Sequence, residues 1–471
     1  MPLPDLIEIV PLDKPVRAEI TVPGSKSITN RALILAALAN GDVTLKGALW
    51  SEDTQIMVQC LKDLGFVVHV APDPDEPCNR SILVIGQGGL VPAGGTVSEP
   101  LELFVGNAGT AARFLVPFLC LGSGVYRLHG TPRMHERPQA ALFEAVRELG
   151  YNVESENEND TLPARVFSGD IVRSPESQTE FLQRKRIEPV QKTCRVSIEE
   201  SSQFASALLL SATVGNWNIE IVGENADESP YVQLTIGVIK SFELFKSFIY
   251  PVEPDASSAS YFKAAGWLLA PHSNDAFEFV RVKEPEGARL LQLDLMFSNF
   301  FRWSHFIGWI EGYAKTSKVT KISRLNDLAD SIMTAIVMVP FADREIQFTD
   351  LGRLRVQECE RVTALRTELT NCGAKVVEEG DTLTVYPSPL EELHGAEIET
   401  YNDHRMAMCF AILGLKIPGI KIKNPACVKK TFPNFFQKLA AAPPHGLGAE
   451  IWEIKDGQRT RKLEGADLFA E

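Results

Sequence analysis

A group of cationic and hydroxyl side chains stands at the start of one very apolar segment, residues 23–39 (PGSKSITNRALILAALA). The Pro-Gly pair predicts a turn, and the apolar remainder predicts a buried helix with Ser27 or Thr29 as its N-cap. Arg31 lies in the first turn, where the helix dipole favours anions over cations. The alternatives are a plain capped helix with a solvated arginine, or an anion-binding site formed by Lys26, Ser27 and Arg31.

Polar and charged residues also stand at the beginnings of other apolar helical segments and in nearby loops. These further candidates are Asn107, Gly109, Thr110, Arg113, Arg133, Arg137, Ser201, Ser202, Gln203, Asp330, Arg355, Glu358, Arg361, His404, Arg405 and Lys430. Each has a structural alternative: a helix cap (Asn107, Ser201, Asn402, Asp330), a solvated loop (Arg133, Arg137) or an exposed helix pair (Glu358 with Arg361). Taken together, cations at several helix starts predict a cleft between two halves of the chain that receives phosphate and carboxylate groups.

A carboxylate among so many cations is suited to proton transfer. Glu358 and Asp330 are therefore acid–base candidates, and Lys26 is a third because neighbouring cations would lower its pKa. The sequence contains no nucleotide-binding loop, no Ser-His-Asp arrangement and no metal-ligand spacing among its 8 histidines and 8 cysteines. We expect chemistry without a cofactor or a metal, and reduced, buried thiols.

Composition restricts the class of protein. The 471 residues predict two or three domains, and 45% hydrophobic with 23% charged residues is typical of a globular protein. A net charge of −14 argues against non-specific binding to nucleic acid or to anionic membranes. The acidic, proline-rich start does not resemble a signal peptide, and no apolar run reaches the roughly 20 residues of a membrane span, so we expect a cytoplasmic protein.

Two kinds of helical segment recur along the chain. The first kind is apolar on nearly every side, and it occurs at residues 27–39, 107–121, 201–214, 257–270, 327–341 and 402–415. The second kind is amphipathic and ends in a glycine before a β-rich run, as at Gly65, Gly150 and Gly373. The pattern predicts an α/β protein of six units in two domains of three, with a break near residues 250–255. Residues 284–321 fit this pattern worst, and the Asp456-Gly457 pair predicts a small hairpin near the C-terminus.

Eight motifs in this order resemble those of the 5-enolpyruvylshikimate-3-phosphate synthase family, within the enolpyruvyl transferases. They are PGSKSITNRALILAALA, LFVGNAGTAAR, TPRMHERP, SSQFASALLLSA, DASSASYF, LADSIMTA, YNDHRMAM and KKTFPNFF, collinear over roughly residues 8–442. The resemblance implies a two-domain fold in which each domain has three βαβαββ units around buried inner helices, an inside-out α/β barrel. It implies domains at residues 23–252 and at 1–22 with 253–442, followed by a C-terminal extension, 443–471.

The resemblance also implies an activity and the residues that carry it. The enolpyruvyl group of phosphoenolpyruvate would pass to the 5-hydroxyl of shikimate 3-phosphate through a tetrahedral intermediate, with release of phosphate, in a cytoplasmic monomer without cofactors. Shikimate 3-phosphate would be held by Lys26, Ser27, Arg31, Ser201, Ser202, Asp330 and Gln357. Phosphoenolpyruvate would be surrounded by Lys26, Asn107, Gly109, Arg133, Gln203, Arg361, His404, Arg405 and Lys430. Protons would be moved by Lys26, Asp330 and Glu358.

The chain departs from the family pattern at several positions. Gln357 stands where the family usually carries a lysine, with Arg353 in place of a nearby asparagine, and Glu228 stands where a serine is usual. Gly109 and Thr110 match the glyphosate-sensitive pattern, whereas Phe114 replaces a common proline. Gln357 and Glu228 keep open the alternative of an enolpyruvyl transferase with another acceptor. A non-catalytic ligand-binding relative is a second alternative, which is disfavoured because the chain keeps Lys26, Glu358, Arg361, His404, Arg405 and Lys430.

A further alternative is UDP-N-acetylglucosamine enolpyruvyl transferase. That family is expected to carry an asparagine beside the first lysine and a cysteine in the loop that corresponds to TPRMHERP. Here Ser27 follows Lys26, and the loop contains no cysteine. The sequence therefore disfavours this alternative.

Overall fold

The computed structural model describes residues 3–169, 191–223, 229–242, 247–270, 279–283, 291–297 and 320–470. The chain divides into two compact units. The terminal unit contains residues 1–23, 74–78 and 253–471, and the central unit contains residues 24–73 and 79–252. The predicted segments at Glu228 and over most of residues 284–321 lie outside the described residues.

The described residues of the central unit form three sheets and seven helices. The helices are α1 (Lys26–Leu38), α2 (Glu52–Asp63), α3 (Gly109–Leu119), α4 (Pro132–His135), α5 (Ala140–Glu148), α6 (Ser202–Gly215) and α7 (Ser229–Ser241). The strands are β3 (Asp42–Leu49), β4 (Val68–Pro72), β5 (Asn79–Ile85), β6 (Leu101–Phe104), β7 (Val125–His129), β8 (Asn152–Ser155), β9 (Ala164–Phe167), β10 (Lys192–Ser197), β11 (Trp217–Val222) and β12 (Phe248–Pro251). The strand orders are β12-β3-β5-β4, β6-β7-β9-β8 and β10-β11.

The described residues of the terminal unit also form three sheets. Its helices are α8 (Ala256–Leu269), α9 (Ile332–Met338), α10 (Arg361–Asn371), α11 (His404–Gly414) and α12 (Phe435–Ala440). Its strands are β1 (Leu6–Ile9), β2 (Ala18–Ile20), β13 (Val280–Val282), β14 (Thr320–Ser323), β15 (Ile346–Thr349), β16 (Val376–Glu379), β17 (Thr382–Val385), β18 (Glu397–Ile398), β19 (Lys421–Lys423), β20 (Ile451–Lys455) and β21 (Gln458–Lys462). Short 3-10 turns lie at Leu293–Met296, Val339–Phe341, Gly352–Val356, Pro425–Lys430 and Gly465–Leu468. The strand orders are β14-β15-β17-β16, β18-β19-β1-β20-β21 and β13-β2.

The predicted βαβαββ unit is present in both halves of the chain. In the central unit, β6 pairs in parallel with β7, which pairs antiparallel with β9, and β8 lies outside β9. In the terminal unit, β14, β15, β17 and β16 repeat the same order and the same directions. The remaining sheets contain strands that are far apart in the sequence. Thus β12 pairs in parallel with β3, and β1 lies between β19 and β20, antiparallel to both.

The apolar helices are buried as their composition predicts. Each of α1, α3, α6, α8, α9 and α11 has buried residues around most of its circumference. Such helices can only be stable beneath other layers of the fold. The glycines that follow α2, α5 and α10 have positive φ angles of 89°, 81° and 86°, which confirms Gly65, Gly150 and Gly373 as the residues that end these helices.

Several predicted caps are wrong. Helix α1 begins at Lys26 with Ser25 as its N-cap, so Ser27 and Thr29 lie inside the helix. The N-caps of α3 and α11 are Ala108 and Asp403, one residue after the predicted Asn107 and Asn402. The prediction for Ser201 is confirmed, because its hydroxyl accepts a hydrogen bond from the Gln203 amide at 3.3 Å.

One loop of the chain belongs to the terminal unit although both strands that flank it, β4 and β5, belong to the central unit. This loop, Pro74–Cys78, buries the carboxylate of Glu76. That carboxylate accepts hydrogen bonds from Thr21 at 2.6 Å, Asn434 at 2.7 Å and the ammonium group of Lys438 at 2.8 Å. The loop is therefore anchored by an ion pair and by two hydrogen bonds that neutral side chains donate to the same carboxylate.

Among the described residues, no helix is both long enough and apolar enough to cross a membrane. The same residues contain no group of three or more histidine, cysteine or acidic side chains that could hold a metal ion. All eight cysteines are free thiols, and seven of them are buried.

Candidate active-site residues

The first predicted cluster lies at the N-terminal end of α1 in the central unit. Lys26 donates to Asp53 at 2.9 Å, with both side chains largely buried. A carboxylate thus contacts Lys26, where the sequence had suggested neighbouring cations. Ser27 lies one residue further along the helix and is half-buried. Its carbonyl oxygen accepts a hydrogen bond from Arg31 at 2.8 Å.

Arg31 is buried and is held by neutral groups. Its Nε donates to the Thr235 hydroxyl at 2.8 Å, and its Nη2 donates to the Ser206 hydroxyl at 3.3 Å. The guanidinium carbon lies 5.3 Å from the centre of the Phe114 ring, within the range of a cation–π interaction. Burial lowers the pKa of Arg31 to about 10, so the side chain remains charged at neutral pH. Among the described residues, no carboxylate forms an ion pair with it.

A second group surrounds the start of α3. A Cβ atom added to Gly109 would lie 2.6 Å from the guanidinium of Arg137, so this glycine allows an arginine to pack directly on the backbone. Arg113 donates to the Gln203 side-chain oxygen at 2.5 Å, and the amide nitrogen of Gln203 lies 3.4 Å from the Thr110 hydroxyl. The starts of α3 and α6 are therefore linked through Gln203.

The remaining central-unit candidates differ in exposure. Ser201 and Ser202 are both 2% exposed at the start of α6. Asn107 is exposed just before α3. The Arg133 side chain is 74% exposed and pairs with Glu136, which has the geometry of a solvated surface pair in the absence of a ligand.

In the terminal unit, Arg361 is the centre of a buried network. It is the first residue of α10 and its side chain is 1% exposed. Its Nε donates to Asp403 at 2.6 Å, its Nη2 donates to Glu358 at 2.7 Å, and its Nη1 donates to the side-chain oxygen of Gln357. The sequence-based alternative of an exposed Glu358–Arg361 helix pair is wrong, because Arg361 is fully enclosed and Glu358 precedes the helix.

Glu358 is held between two cations. Its second oxygen accepts a hydrogen bond from Lys430 at 2.7 Å, and its side chain is 25% exposed. Burial alone would raise the pKa of Glu358, but Arg361 and Lys430 together hold that pKa well below its ordinary value. The carboxylate is therefore ionised at neutral pH.

Asp330 lies two residues before α9 and pairs with two arginines. It accepts from Arg324 at 3.1 Å and lies 3.1 Å from an Nη2 of Arg405. Burial would raise the pKa of Asp330, but these two cations lower it below the ordinary value. The N-cap of α9 is Ser331, so the prediction of Asp330 as a capping carboxylate is wrong. The Ser331 amide in turn donates to the buried carboxylate of Asp294 at 2.5 Å.

Asp403 and His404 begin α11 beside this network. The Asp403 carboxylate caps the helix by accepting from the Arg405 amide at 2.8 Å. Its pKa, which burial would raise, is lowered by Arg361. The His404 ring is 3% exposed, and burial lowers its pKa to about 3, so the ring is neutral at physiological pH.

Sequence reasoning missed the carboxylates that hold these cations. Asp53, Asp294 and Asp403 each contact a predicted site residue or its neighbour. Asp403 carried a usable signal, because an aspartate directly before an apolar helix is a strong N-cap candidate. Asp53 and Asp294 carried none, since they meet their partners only through tertiary structure.

The two clusters differ in their electrostatic character. In the central unit Arg31 is balanced by hydroxyl groups and an aromatic ring, whereas in the terminal unit each arginine of the network contacts at least one carboxylate. Both arrangements keep charged donors ordered, and ordered cations of this kind are suited to binding phosphate and carboxylate groups.

A model of the family described as "EPSP synthase (3-phosphoshikimate 1-carboxyvinyltransferase)" matches residues 12–245 and 243–439. The chain belongs to the EPSP synthase family. The family match covers nearly the whole chain up to α12, including every candidate residue described above.

Full-length curated relatives agree with this assignment. A 3-phosphoshikimate 1-carboxyvinyltransferase of Trichormus variabilis is 34% identical over 466 residues, covering 92% of this chain and 98% of the relative. One of the same name from Aeromonas salmonicida is 36% identical over 455 residues, with coverages of 90% and 96%.

Solved structures of other enolpyruvyl transferases have the same fold as this chain. An EPSP synthase from Acinetobacter baumannii superposes with a TM-score of 0.65 at 19% identity, covering 95% of this chain and 100% of that one. The enolpyruvyl transferase NikO from Streptomyces tendae gives a TM-score of 0.59 at 13% identity, with coverages of 95% and 98%. These likenesses establish the two-domain α/β fold.

Proposed function

We propose that this protein is a 3-phosphoshikimate 1-carboxyvinyltransferase, an enzyme of aromatic amino-acid biosynthesis. It transfers the enolpyruvyl group of phosphoenolpyruvate to the 5-hydroxyl of shikimate 3-phosphate and releases inorganic phosphate. The observation that carries the proposal is the network around Arg361, in which Glu358 is held between Arg361 and Lys430. Such a network supplies both an anion-binding group and a carboxylate placed for proton transfer.

The central unit supplies the binding of shikimate 3-phosphate in this proposal. Lys26, Ser27 and Arg31 at the start of α1, with Ser201 and Ser202 at the start of α6, would hold its phosphate and hydroxyl groups. Support comes from the buried, charged Arg31, whose neutral partners leave its positive charge uncompensated. Asp330 and Gln357 are also proposed as residues that bind shikimate 3-phosphate.

Phosphoenolpyruvate would be bound by a second set of residues, which contains both cations and neutral groups. The proposed set is Lys26, Asn107, Gly109, Arg133, Gln203, Arg361, His404, Arg405 and Lys430. The close packing of Arg137 on Gly109 supports a role for this glycine in placing a cation. Because His404 is neutral, it would serve as a hydrogen-bonding group rather than as a charge.

Proton transfer is assigned to Glu358, Asp330 and Lys26. Glu358 is ionised without ligand because Arg361 and Lys430 lower its pKa. The anionic groups of phosphoenolpyruvate would compensate those two cations and so raise the pKa of Glu358. Substrate binding would thereby convert this carboxylate into an acid able to protonate the vinyl carbon. The 5-hydroxyl then adds to the neighbouring carbon and gives its proton to Asp330, which produces a tetrahedral intermediate with a methyl group. As phosphate leaves, the methyl group returns one proton to the Glu358 carboxylate, and the carbon–carbon double bond is restored.

Gln357 has a defined partner in this chain. Its side-chain oxygen accepts a hydrogen bond from Arg361. The amide therefore helps to orient Arg361, one of the residues proposed to bind phosphoenolpyruvate. A lysine here, as in the family pattern, would instead bring a like charge toward Arg361. We infer that the substitution is compatible with the same reaction.

The domain division that we propose is residues 23–252, residues 1–22 with 253–442, and an extension, 443–471. The compact units support the division at residue 252. The strands β20 and β21 of the extension join β1 in one sheet, so the extension is proposed as a structural part of its domain. We further propose a cytoplasmic monomer, which gel filtration of the full chain would check.

Release of inorganic phosphate tests the proposed function. The purified chain is mixed with phosphoenolpyruvate and shikimate 3-phosphate, and each substrate is omitted in turn. Release that requires both substrates is expected. Binding of shikimate 3-phosphate without release would instead indicate a non-catalytic relative, and the absence of both would indicate another acceptor.

The variant Glu358→Gln tests the proton-transfer role. We expect turnover to fall by about two to four orders of magnitude, because the amide cannot deliver a proton, while shikimate 3-phosphate still binds. The matched control is Glu379→Gln, a substitution at an exposed glutamate on β16. Unchanged turnover in Glu358→Gln would remove this residue from the mechanism.

A further inference from the structure

The environment of Arg31 contains two buried hydroxyl residues to which the proposed function gives no role. Thr235 lies on α7 and Ser206 lies on α6, and both are fully buried. Their hydroxyl oxygens are 2.8 Å apart, and both accept hydrogen bonds from the Arg31 guanidinium. Three helices of the central unit therefore meet at one guanidinium group.

The Thr235 hydroxyl has a restricted orientation. Its proton can be donated to the carbonyl oxygen of Tyr231 at 2.9 Å, one turn earlier on α7, or to Ser206 at 2.8 Å. In either case the Thr235 proton is given to an acceptor other than Arg31, so a lone pair of the Thr235 oxygen remains for the Nε–H of Arg31. The Thr235 oxygen is therefore held by α7 in a position where it accepts from Arg31.

Hydroxyl groups and carboxylates have different consequences for a buried arginine. A carboxylate would satisfy the guanidinium N–H groups but would also neutralise the charge. Hydroxyl oxygens satisfy the same donors and leave the positive charge in place. The contacts of Arg31 use three of its five N–H hydrogens, and the other two have no acceptor among the described residues.

We propose that Thr235 and Ser206 are positioning residues that fix the Arg31 guanidinium in the orientation that binds the phosphate or hydroxyl groups of shikimate 3-phosphate. They act through Arg31 and do not contact the substrate themselves. This inference rests on the proposed function, since it assigns a direction to the anion-binding role of Arg31. The Phe114 ring is a third neutral group beside the guanidinium, and it limits the movement of Arg31 without adding charge.

Two substitutions at one position separate the hydroxyl from the shape of the side chain. Thr235→Val keeps the volume and removes the acceptor, whereas Thr235→Ser keeps the hydroxyl. We expect Thr235→Val to raise the Kd of shikimate 3-phosphate about tenfold, since an oriented charged hydrogen bond is lost, and we expect Thr235→Ser to restore most of that affinity. Calorimetric titration of the full chain with shikimate 3-phosphate measures both.

The substitution Ser206→Ala removes the second acceptor and has a matched control on the same helix. Ser211 is also fully buried on α6, and its hydroxyl has no hydrogen-bond partner among the described residues. We expect Ser206→Ala to weaken shikimate 3-phosphate binding severalfold and Ser211→Ala to leave it unchanged. In steady-state kinetics, the KM for shikimate 3-phosphate should rise in Thr235→Val and Ser206→Ala with a smaller change in the KM for phosphoenolpyruvate.

The outcomes separate this inference from the proposed function. If the unmodified protein turns over both substrates and Thr235→Val binds shikimate 3-phosphate with unchanged affinity, the positioning role is overturned and the function stands. An equal rise in both KM values, not reversed by Thr235→Ser, would show a general structural effect and would also overturn it. If the unmodified protein neither binds nor converts shikimate 3-phosphate, the proposed function fails and this inference fails with it.

Discussion

At the scale of single residues, the candidate site depends on which groups pair with each buried cation. Arg361 is enclosed and contacts both Asp403 and Glu358, so removing its charge would leave the fully buried Asp403 carboxylate without its arginine partner. The residue types could be predicted from the sequence, because arginines at helix starts contradict the helix dipole. Their partners could not, because Asp403 and Arg361 are brought together only by the packing of α10 and α11.

The substitution Gln357→Lys tests the local balance around Arg361. Lysine removes the amide acceptor and brings a second cation toward the guanidinium, so we expect a loss of about 1–2 kcal/mol in the free energy of unfolding. Gln357→Met, which removes the acceptor without adding charge, should lose less. Denaturant titration of the three proteins measures the difference. A Gln357→Lys protein as stable as the original would show that the Arg361–Gln357 contact contributes nothing.

The buried His404 predicts a dependence of stability on pH. Burial lowers its pKa from 6.5 to about 3, although the nearby carboxylates of Asp403 and Glu358 oppose part of that shift. The unfolded chain therefore binds a proton at this histidine below about pH 6.5, while the folded protein does not. Stability is lost as the pH falls through this range, by about 2 kcal/mol at pH 5.

The variant His404→Gln should have a flatter stability profile between pH 7 and pH 5. The control is His445→Gln, a substitution at an exposed histidine, which should retain the profile of the original protein. Denaturant unfolding of the three proteins at both pH values makes the comparison. The carboxylates of Asp330 and Glu358 do not interfere, because the stability that comes from their lowered pKa values is lost only below the pKa of an unfolded carboxyl group, about 4. Equal slopes in all three proteins would contradict the assignment.

At the scale of elements, the helices were predictable and one loop was not. The apolar helices and their glycine ends follow from local rules of burial and backbone conformation, which act within a few residues. The loop Pro74–Cys78 offered no such signal. Its anchor Glu76 meets Thr21, Asn434 and Lys438, which are distant in sequence, so only the folded chain shows why this glutamate is buried.

The anchoring of this loop can be tested with two neighbouring acidic residues. Glu76→Ala leaves the largely buried ammonium group of Lys438 without its carboxylate, and we expect a loss of about 3 kcal/mol or more in the free energy of unfolding. Asp75→Ala removes an acidic side chain that is 70% exposed and 3.8 Å from Lys283, so its effect should be close to zero. Thermal unfolding distinguishes them, and equal melting temperatures would show that the Glu76 ion pair is not stabilising.

At the scale of the whole molecule, the number of repeated units could be predicted. Which distant strands pair with one another in each sheet could not. Counting recurrent helices predicts six units. Hydrophobic periodicity does not show that β12 pairs with β3, or that the C-terminal hairpin β20–β21 adds to the sheet that holds β1. Pairings across such distances are decided by which strands complete a buried sheet, a property of the folded chain as a whole.

The position of β1 has a consequence for the order in which the protein is made. Ribosomes synthesise β1 more than 400 residues before its neighbours β19 and β20. The central unit is complete once residue 252 has left the ribosome, and it can fold while synthesis continues. Strand β1 remains without its partners β19 and β20 during all of that time. Until β19 and then the hairpin β20–β21 have been synthesised, the edges of β1 are open to pairing with other nascent chains, so slow translation of residues 253–462 would favour aggregation.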